Sequence, residues 1–235
     1  MELKERVIVV TGAGPGFGNQ FALDCASEGA RLALADLNLE TVEKVASECR
    51  DAGGEARPYQ MDVCSEEQVV AFYEQVVKDF GSLDATINNA GILRDGLLVK
   101  EKDGEVQTFS LKKWQAVIDT NLTGVFLCGR EAAANLVRLK KSGVIINISS
   151  IAYHGNFGQS NYSAAKAGVA SMTVLWAKEL AQYDIRVAAV APGFTATEMV
   201  MSLRDEVKNK FTSSVPLRRF ACLLYTSPSP RDHEQ

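Results

Sequence analysis

The chain has 235 residues, of which 46% are hydrophobic and 23% charged, and its net charge at pH 7 is −4. This composition is that of an ordinary globular domain, and it excludes disordered, collagen-like and disulfide-scaffold chains. The slight acidity leaves no basic footprint for a nucleic-acid partner. Because the sequence has no long apolar run and begins with the charged segment Met1–Arg6, we expect a cytoplasmic protein without a membrane partner.

Short apolar runs alternate with longer helical patterns, which predicts a parallel sheet built from β-α-β units. The predicted strands are Val7–Val10, Arg31–Asp36, Ala56–Val63, Ala85–Asn88, Val144–Ile148 and Arg186–Ala191. The predicted helices run to about Gly29, from Asn38 to Gly53, from Ser65 to Phe80, onward from Ser110, and from Tyr162 to Tyr183. We see no repeat or linker in residues 1–220, so we predict one doubly wound α/β domain of the Rossmann type.

The segment between Arg94 and Thr108 does not follow this alternation. It contains Asp103-Gly104 between two short runs, which predicts a surface hairpin or an ordered loop. The five cysteines are odd in number and form no C-x-x-C pair, so we expect neither a disulfide framework nor a metal site.

A glycine-rich turn follows the first predicted strand and contains Gly12, Gly14, Gly16, Phe17 and Gly18. Such a turn lets the backbone approach a pyrophosphate, although a plain tight turn would look the same. Asp36 ends the second strand, where a carboxylate accepts hydrogen bonds from ribose hydroxyls and repels a 2′-phosphate. A solvated aspartate is the alternative for this position alone. Together the two features predict a site that prefers NAD over NADP.

Tyr162 and Lys166 are four residues apart, which places both side chains on one face of a helix. A free tyrosine titrates near pH 10 and is a poor base at neutral pH. A neighbouring ammonium favours the phenolate, so the pair is a candidate acid/base centre. The same spacing is common among surface pairs and needs further residues to support it.

Those further residues are present, and their order resembles the short-chain dehydrogenase/reductase family over residues 5–220. The matching motifs are Thr11–Gly18, Asp62-Val63, Asn88–Gly91, Asn121, Ser149, Tyr162, Lys166 and Pro192-Gly193. The resemblance is closest to the 3-oxoacyl-(acyl-carrier-protein) reductase branch. It implies an NAD(H)-dependent oxidoreductase of secondary alcohols and ketones, with 3-oxoacyl and 3-hydroxyacyl compounds among the candidate substrates, and a homodimer or homotetramer.

The resemblance also implies a role for each catalytic residue. Tyr162 is expected to be the general acid/base, and Ser149 to hydrogen-bond the same substrate oxygen. Spacing to the tyrosine favours Ser149 over the adjacent Ser150. Lys166 is expected to hold the nicotinamide ribose and to lower the pKa of the tyrosine, and Asn121 to support a proton-relay water.

The cofactor-binding residues come from the same comparison. Asp62 and Val63 are expected to flank the adenine. The residues expected to complete the cofactor site are Asn89, Ala90, Gly91, Pro192, Gly193 and Thr195. Three alternatives remain open from the sequence: a sugar alcohol dehydrogenase of this family, a sugar-nucleotide epimerase or dehydratase, and a non-catalytic dinucleotide-binding protein.

The sequence departs from the family pattern after Phe220, where relatives continue with a helix and a seventh strand. The stretch Cys222–Asp232 instead resembles the translation of a transposase-end adapter used in DNA sequencing. We therefore expect residues 221–235 to be an artefactual, disordered tail. We also expect the seventh strand to be missing through truncation and the natural protein to be longer.

Overall fold

Six parallel strands form the central sheet in a computed structural model that describes residues 2–201 and 204–223. In sheet order they are β3 (Glu55–Gln60), β2 (Arg31–Asp36), β1 (Val7–Thr11), β4 (Ala85–Asn88), β7 (Gly143–Ile148) and β8 (Ile185–Val190). The order reverses direction beside β1, because β2 pairs with one of its edges and β4 with the other. This arrangement confirms the predicted doubly wound α/β fold.

Helices connect the strands and cover the sheet. They are α1 (Phe17–Ser27), α2 (Leu39–Asp51), α3 (Glu66–Phe80), α4 (Leu111–Ile118), α5 (Gly124–Arg138), α6 (Ser160–Leu180), α7 (Glu198–Met201) and α8 (Asp205–Ser214). The predicted caps of α2 and α3 form, because Asn38 accepts from Thr41 N and Ser65 from Gln68 N. None of the helices in the described ranges has the length and apolar character needed to cross a bilayer.

Two hydrophobic layers hold the helices against the sheet. Successive residues of a strand face opposite sides, so that β1 contributes to both layers. Val7 and Val9 pack with side chains of α3 and α5, whereas Ile8 and Val10 pack with side chains of α1 and α2. A strand covered on both faces needs a continuous apolar run, which is why β1 shows no alternation of polar residues.

Three details of the predicted elements are settled by the structure. The third strand ends at Gln60, before the predicted limit at Val63. The segment that broke the alternation is a hairpin, with β5 (Val99–Lys102) paired antiparallel to β6 (Glu105–Thr108). The helix predicted from Ser110 is divided into α4 and α5 by the π-helical turn Asp119–Thr123.

The predicted tail falls almost entirely outside the described residues, which end at Leu223. Within them, Ala221 forms a β-bridge with Thr195, and its N–H donates to the Phe194 carbonyl at 2.9 Å. This short bridge places the end of the described chain beside the loop that follows β8.

A buried carboxylate, Asp84, fixes the amino-terminal end of the sheet. It accepts hydrogen bonds from Val7 N at 3.0 Å, Lys141 Nζ at 2.8 Å and Arg6 Nη1 at 3.2 Å. Burial acts to raise the pKa of Asp84, but the bonds from Lys141 and Val7 outweigh it and the pKa is lowered. The ionised carboxylate therefore ties β1 to the loop that precedes β7.

We expect Asp84→Asn to lower the free energy of unfolding by about 2–3 kcal/mol at pH 7, because the cations and N–H donors lose their anionic partner. The lowered pKa means that this contribution is complete above the ordinary carboxyl pKa of about 4. It disappears as the pH falls through the lower folded-state value. Denaturant unfolding across this pH range measures it, with the exposed Asp51→Asn as control. Equal stability of Asp84→Asn and the unmutated protein at pH 7 would contradict the assignment.

Candidate active site

The carboxyl ends of the parallel strands open into a cleft of about 540 Å³. It lies beside β1, where the strand order reverses, which is the usual place for a ligand in an open α/β sheet. One end of the cleft is formed by the turn after β1 and by the end of β2. The other end is formed by the end of β7, the start of α6 and the loop after β8.

The glycine-rich turn has a backbone that favours glycine over other residues. Gly12 has φ +61° and Gly16 has φ +108°, which are conformations that favour glycine. A Cβ added to Gly18 would lie 1.9 Å from the Gly12 carbonyl oxygen. Asn89 holds the turn from the neighbouring strand, because its Nδ2 donates to the carbonyl oxygens of Gly12 at 2.8 Å and Thr11 at 3.2 Å.

Asp36 lies at the same end of the cleft and is held by backbone groups on both oxygens. Its Oδ2 accepts from Gly14 N at 3.0 Å, and its Oδ1 accepts from Asn38 N at 3.0 Å. Each carboxylate oxygen can accept more than one hydrogen bond, so both remain able to bind ligand hydroxyls. A Cβ on Gly14 would come within 3.0 Å of Oδ2, which explains the glycine at this position.

Tyr162 and Lys166 lie at the opposite end of the cleft, with Lys166 Nζ 5.6 Å from the centre of the tyrosine ring. Lys166 is buried, and its Nζ donates to the Ile148 carbonyl at 2.6 Å. Burial lowers the pKa of Lys166 to about 8.

The pKa of Tyr162 is raised above its ordinary value. Burial is the largest effect and raises the pKa, the negative charge of Asp95 raises it further, and a hydrogen bond from Ser150 acts in the opposite direction. The Lys166 amine donates to a backbone carbonyl, and its expected effect on the pKa of the phenol stays a prediction. Tyr162 is partly buried, and a pKa raised above its ordinary value near 10 leaves the phenol protonated at neutral pH.

The two adjacent serines at the end of β7 make different contacts. Ser149 is buried, and its hydroxyl donates to the backbone carbonyl of Lys166 at 2.9 Å. Ser150 is the serine whose side chain acts to lower the pKa of the Tyr162 phenol, and its hydroxyl accepts from Ala152 N at 3.2 Å at the start of the 3-10 turn Ile151–His154. Both serines line the cleft, and the expected role of Ser149 toward a substrate oxygen stays a prediction.

Asn121 lies in the π-helical turn between α4 and α5 and is fully buried. Its side chain makes a paired contact with the backbone of Ile92, donating to the carbonyl at 3.0 Å and accepting from the N–H at 2.8 Å. Ile92 lines the cleft and Asn121 does not. Asn121 thus supports the wall of the cleft, and its expected role in holding a proton-relay water remains a prediction.

The structure brings most of the other expected cofactor residues to the cleft. Its lining includes Gly12, Gly14, Gly16, Phe17, Gly18, Asn89, Ala90, Gly91, Pro192, Gly193 and Thr195. Asp62 and Val63 are not among the lining residues. The Asp62 carboxylate accepts from Cys64 N at 2.8 Å, and Val63 packs against Gly124. Their role beside an adenine stays a prediction.

Two residues at the catalytic end were given no role by the sequence motifs. Ser150 was set aside because of its spacing, and Asn161 carries no signal that distinguishes it from any polar residue at a helix start. Asn161 is fully buried, and its Oδ1 accepts from Tyr162 N at 2.8 Å. Only the packing of α6 against its neighbours reveals it.

Comparisons with known proteins agree with this geometry. The family described as short chain dehydrogenase matches residues 6–208. The 3-oxoacyl-(acyl-carrier-protein) reductase of Thermotoga maritima is 39% identical over 221 residues, which cover 94% of this chain and 86% of the relative. A 3-oxoacyl-(acyl-carrier-protein) reductase of Synechocystis sp. is 43% identical over 220 residues, covering 93% and 84%.

Solved structures show the same fold. The structure of an NAD+-bound xylitol dehydrogenase aligns with TM-score 0.83 at 30% identity, covering 95% of this chain and 89% of the other. A short-chain type dehydrogenase/reductase from Mycobacterium marinum aligns with TM-score 0.86 at 32% identity, covering 94% and 85%. Fold and cleft thus define an α/β protein with a crevice of the dinucleotide-binding type. The chain belongs to the short-chain dehydrogenase family.

We expect Ser150→Ala to raise the pKa of Tyr162, because it removes the hydrogen bond that lowers it. Ser149→Ala is the matched control, since its hydroxyl bonds a backbone carbonyl, and it should leave this pKa unchanged. An alkaline absorbance titration, with Tyr162→Phe subtracted, measures the single phenol. A larger shift in Ser149→Ala than in Ser150→Ala would contradict this expectation.

Proposed function

We propose that this protein is an NAD(H)-dependent oxidoreductase that interconverts ketones and secondary alcohols, with 3-oxoacyl compounds as the substrate class. One observation carries the proposal. A single cleft has the glycine turn and Asp36 at one end, and Tyr162, Ser150 and Lys166 at the other. Such a cleft suits a long ligand whose anchored part and reactive part are far apart.

The glycine end fits a dinucleotide. The turn exposes backbone without side chains at the amino terminus of α1, where free N–H groups and the helix dipole favour a pyrophosphate. Asp36 would accept hydrogen bonds from the adenosine ribose hydroxyls, and its negative charge would oppose a 2′-phosphate. We therefore propose NAD rather than NADP as the preferred cofactor.

The other end fits proton transfer to a carbonyl oxygen. A bound nicotinamide would supply the hydride. The partly buried Tyr162 phenol, protonated at neutral pH, would donate its proton to the substrate oxygen, and Ser150 would hydrogen-bond the same atom. The Lys166 amine donates to the Ile148 carbonyl, and the Lys166 carbonyl accepts from the Ser149 hydroxyl, so that the end of β7 fixes this residue. A lysine fixed in this way is suited to position the nicotinamide ribose. The protein thus provides orientation and a proton.

The substrate side of the cleft is apolar. Its walls include the apolar side chains of Ile92, Leu93, Phe194 and Val200. This lining supports a carbonyl compound with a hydrocarbon chain, and the names of the most similar relatives point to the same class. A sugar alcohol is the second candidate, because the xylitol dehydrogenase shares this fold over nearly the whole chain.

The surroundings of the protein are a further part of the proposal. We propose a cytoplasmic homo-oligomer, a dimer or tetramer, that binds only small molecules. Exposed apolar side chains at Phe126 of α5 and at Val174 and Leu175 of α6 support the association of copies. The five cysteines are free thiols, which supports a reducing compartment.

The cofactor proposal predicts that NAD binds at least about tenfold tighter than NADP, a difference of about 1.4 kcal/mol or more. Asp36→Ala should narrow this gap mainly by tightening NADP binding, because it removes a like charge from the 2′-phosphate. Dissociation constants from fluorescence titration measure both effects. Asp51→Ala serves as the control, since Asp51 is exposed at the end of α2 and does not line the cleft. Equal affinity for the two cofactors in the unmutated protein would contradict the proposal.

The catalytic proposal predicts that Tyr162→Phe retains cofactor binding and loses about 10²–10⁴-fold in kcat, because the general acid is removed while the ring stays in place. Lys166→Ala should weaken both binding and turnover. Cofactor oxidation with a panel of 3-oxoacyl thioesters, simple ketones and xylulose tests the reaction and separates the two substrate candidates. Near-normal turnover by Tyr162→Phe would overturn the mechanism. Cofactor binding without turnover of any carbonyl would favour a binding protein instead.

A further inference from the structure

Asn161, the residue that precedes Tyr162, has a side chain that bonds three different parts of the fold. It is fully buried, and each of its side-chain polar atoms is bonded. Its Nδ2 donates to the carbonyl oxygens of Arg94 at 3.1 Å and Lys113 at 3.2 Å. Its Oδ1 accepts from the backbone N–H of Tyr162 at 2.8 Å.

These bonds join three segments that are distant in sequence. Arg94 belongs to the loop after β4, Lys113 to α4, and Tyr162 to the first turn of α6. At a helix start, the backbone N–H groups have no partner within the helix. The Asn161 side chain satisfies one of them and fixes the turn that carries the phenol to two other parts of the fold.

A second set of bonds closes the same junction from the outside. The N–H of Gly96 donates to the Gly158 carbonyl at 2.8 Å, and Gln159 Nε2 donates to Asp95 Oδ2 at 3.0 Å. Gly96 and Gln159 form a parallel bridge. The segment 94–96 therefore lies along the residues that lead into α6, with Asn161 on the buried side and Asp95 on the exposed side.

We propose that Asn161 is a positioning residue for Tyr162: it locks the first turn of α6 onto segment 94–96 and α4, and the Asp95–Gln159 bond supports this lock from outside. The inference rests on the proposed role of Tyr162 as proton donor. The physical reason is geometric, because a misplacement of a catalytic group by about 1 Å costs on the order of 100-fold in rate.

The surroundings of the phenol provide a readout that does not depend on turnover. The charged groups near Tyr162 are Lys166 on its own helix and Asp95 from the loop after β4, and the 3-10 turn contributes the neutral Ser150. Burial is the main reason for the raised pKa of Tyr162. If the first turn of α6 loosens, water reaches the phenol and the pKa falls toward its ordinary value near 10.

The experiment compares Asn161→Ala with Asn135→Ala in the full chain. Asn135 is a matched control, because it is a buried asparagine whose Nδ2 donates to the Glu131 carbonyl within α5, away from the cleft. We expect Asn161→Ala to lose about 100-fold in kcat, to keep its dinucleotide Kd and to show a lower Tyr162 pKa. Asn135→Ala should lose stability alone, with kcat and phenol titration unchanged.

The exposed Asp95 provides a second test that does not threaten folding. Asp95→Asn removes the charge but keeps an acceptor for Gln159, whereas Asp95→Ala removes both. A lower kcat for Asp95→Ala than for Asp95→Asn therefore measures the effect of the Asp95–Gln159 hydrogen bond separately from that of the charge. If Asn161→Ala does not fold, this comparison decides, and equal kcat values for the two Asp95 variants overturn the proposal.

The possible failures are distinguishable from one another. If Tyr162→Phe is inactive but Asn161→Ala keeps normal kcat and an unchanged Tyr162 pKa, the positioning proposal is wrong and the proposed function stands. If no carbonyl compound is turned over, the proposed function fails, and the phenol titration still decides about Asn161. Equal losses of kcat in Asn161→Ala and Asn135→Ala would also overturn the proposal, because any buried asparagine would then have the same effect.

Discussion

The parallel direction of all six strands is the constraint on which the rest of the structure depends. Because every strand ends at the same edge of the sheet, the loops that follow them meet there and form one cleft. Asp36 ends β2, the glycine turn follows β1, and Ser149 follows β7. These residues are far apart in the chain and become neighbours only because the strands share one direction.

Buried hydrogen bonds then convert this meeting of loops into a defined site. Asn89 holds the glycine turn, Asn121 holds Ile92 in the wall of the cleft, and Asn161 holds the start of α6. Each of these asparagine side chains bonds backbone groups of another segment, and Asn161 does so at Arg94 and Lys113. A buried amide that loses a partner costs free energy, so these contacts favour one arrangement of the loops over the alternatives.

Most of the fold could be predicted from the sequence, because strand and helix signals here are strong and agree with each other. The continuous apolar run of β1 and the capping residues Asn38 and Ser65 located their elements correctly. The end of β3 and the π-helical turn at Asp119–Thr123 could not be predicted, since both depend on packing rather than on local residue preference.

The residue types at the site could be predicted from the sequence, whereas several of their contacts could not. Tyr162, Lys166 and Asp36 were identified from their spacing and position. The contacts of Ser149 and Ser150 were not, because a difference of one residue at the end of β7 decides which hydroxyl bonds the Lys166 carbonyl and which acts on the pKa of the phenol. The effect of burial on the pKa of Tyr162 also could not be read from the distance of four residues between a tyrosine and a lysine.

The most direct test of the account is a crystal structure of the protein with NAD and a carbonyl substrate analogue bound. We expect the adenosine ribose hydroxyls to hydrogen-bond the Asp36 carboxylate. The analogue's carbonyl oxygen should lie within hydrogen-bond distance of both Tyr162 Oη and Ser150 Oγ. A dinucleotide bound in another place, or a carbonyl oxygen that contacts neither hydroxyl, would contradict the account.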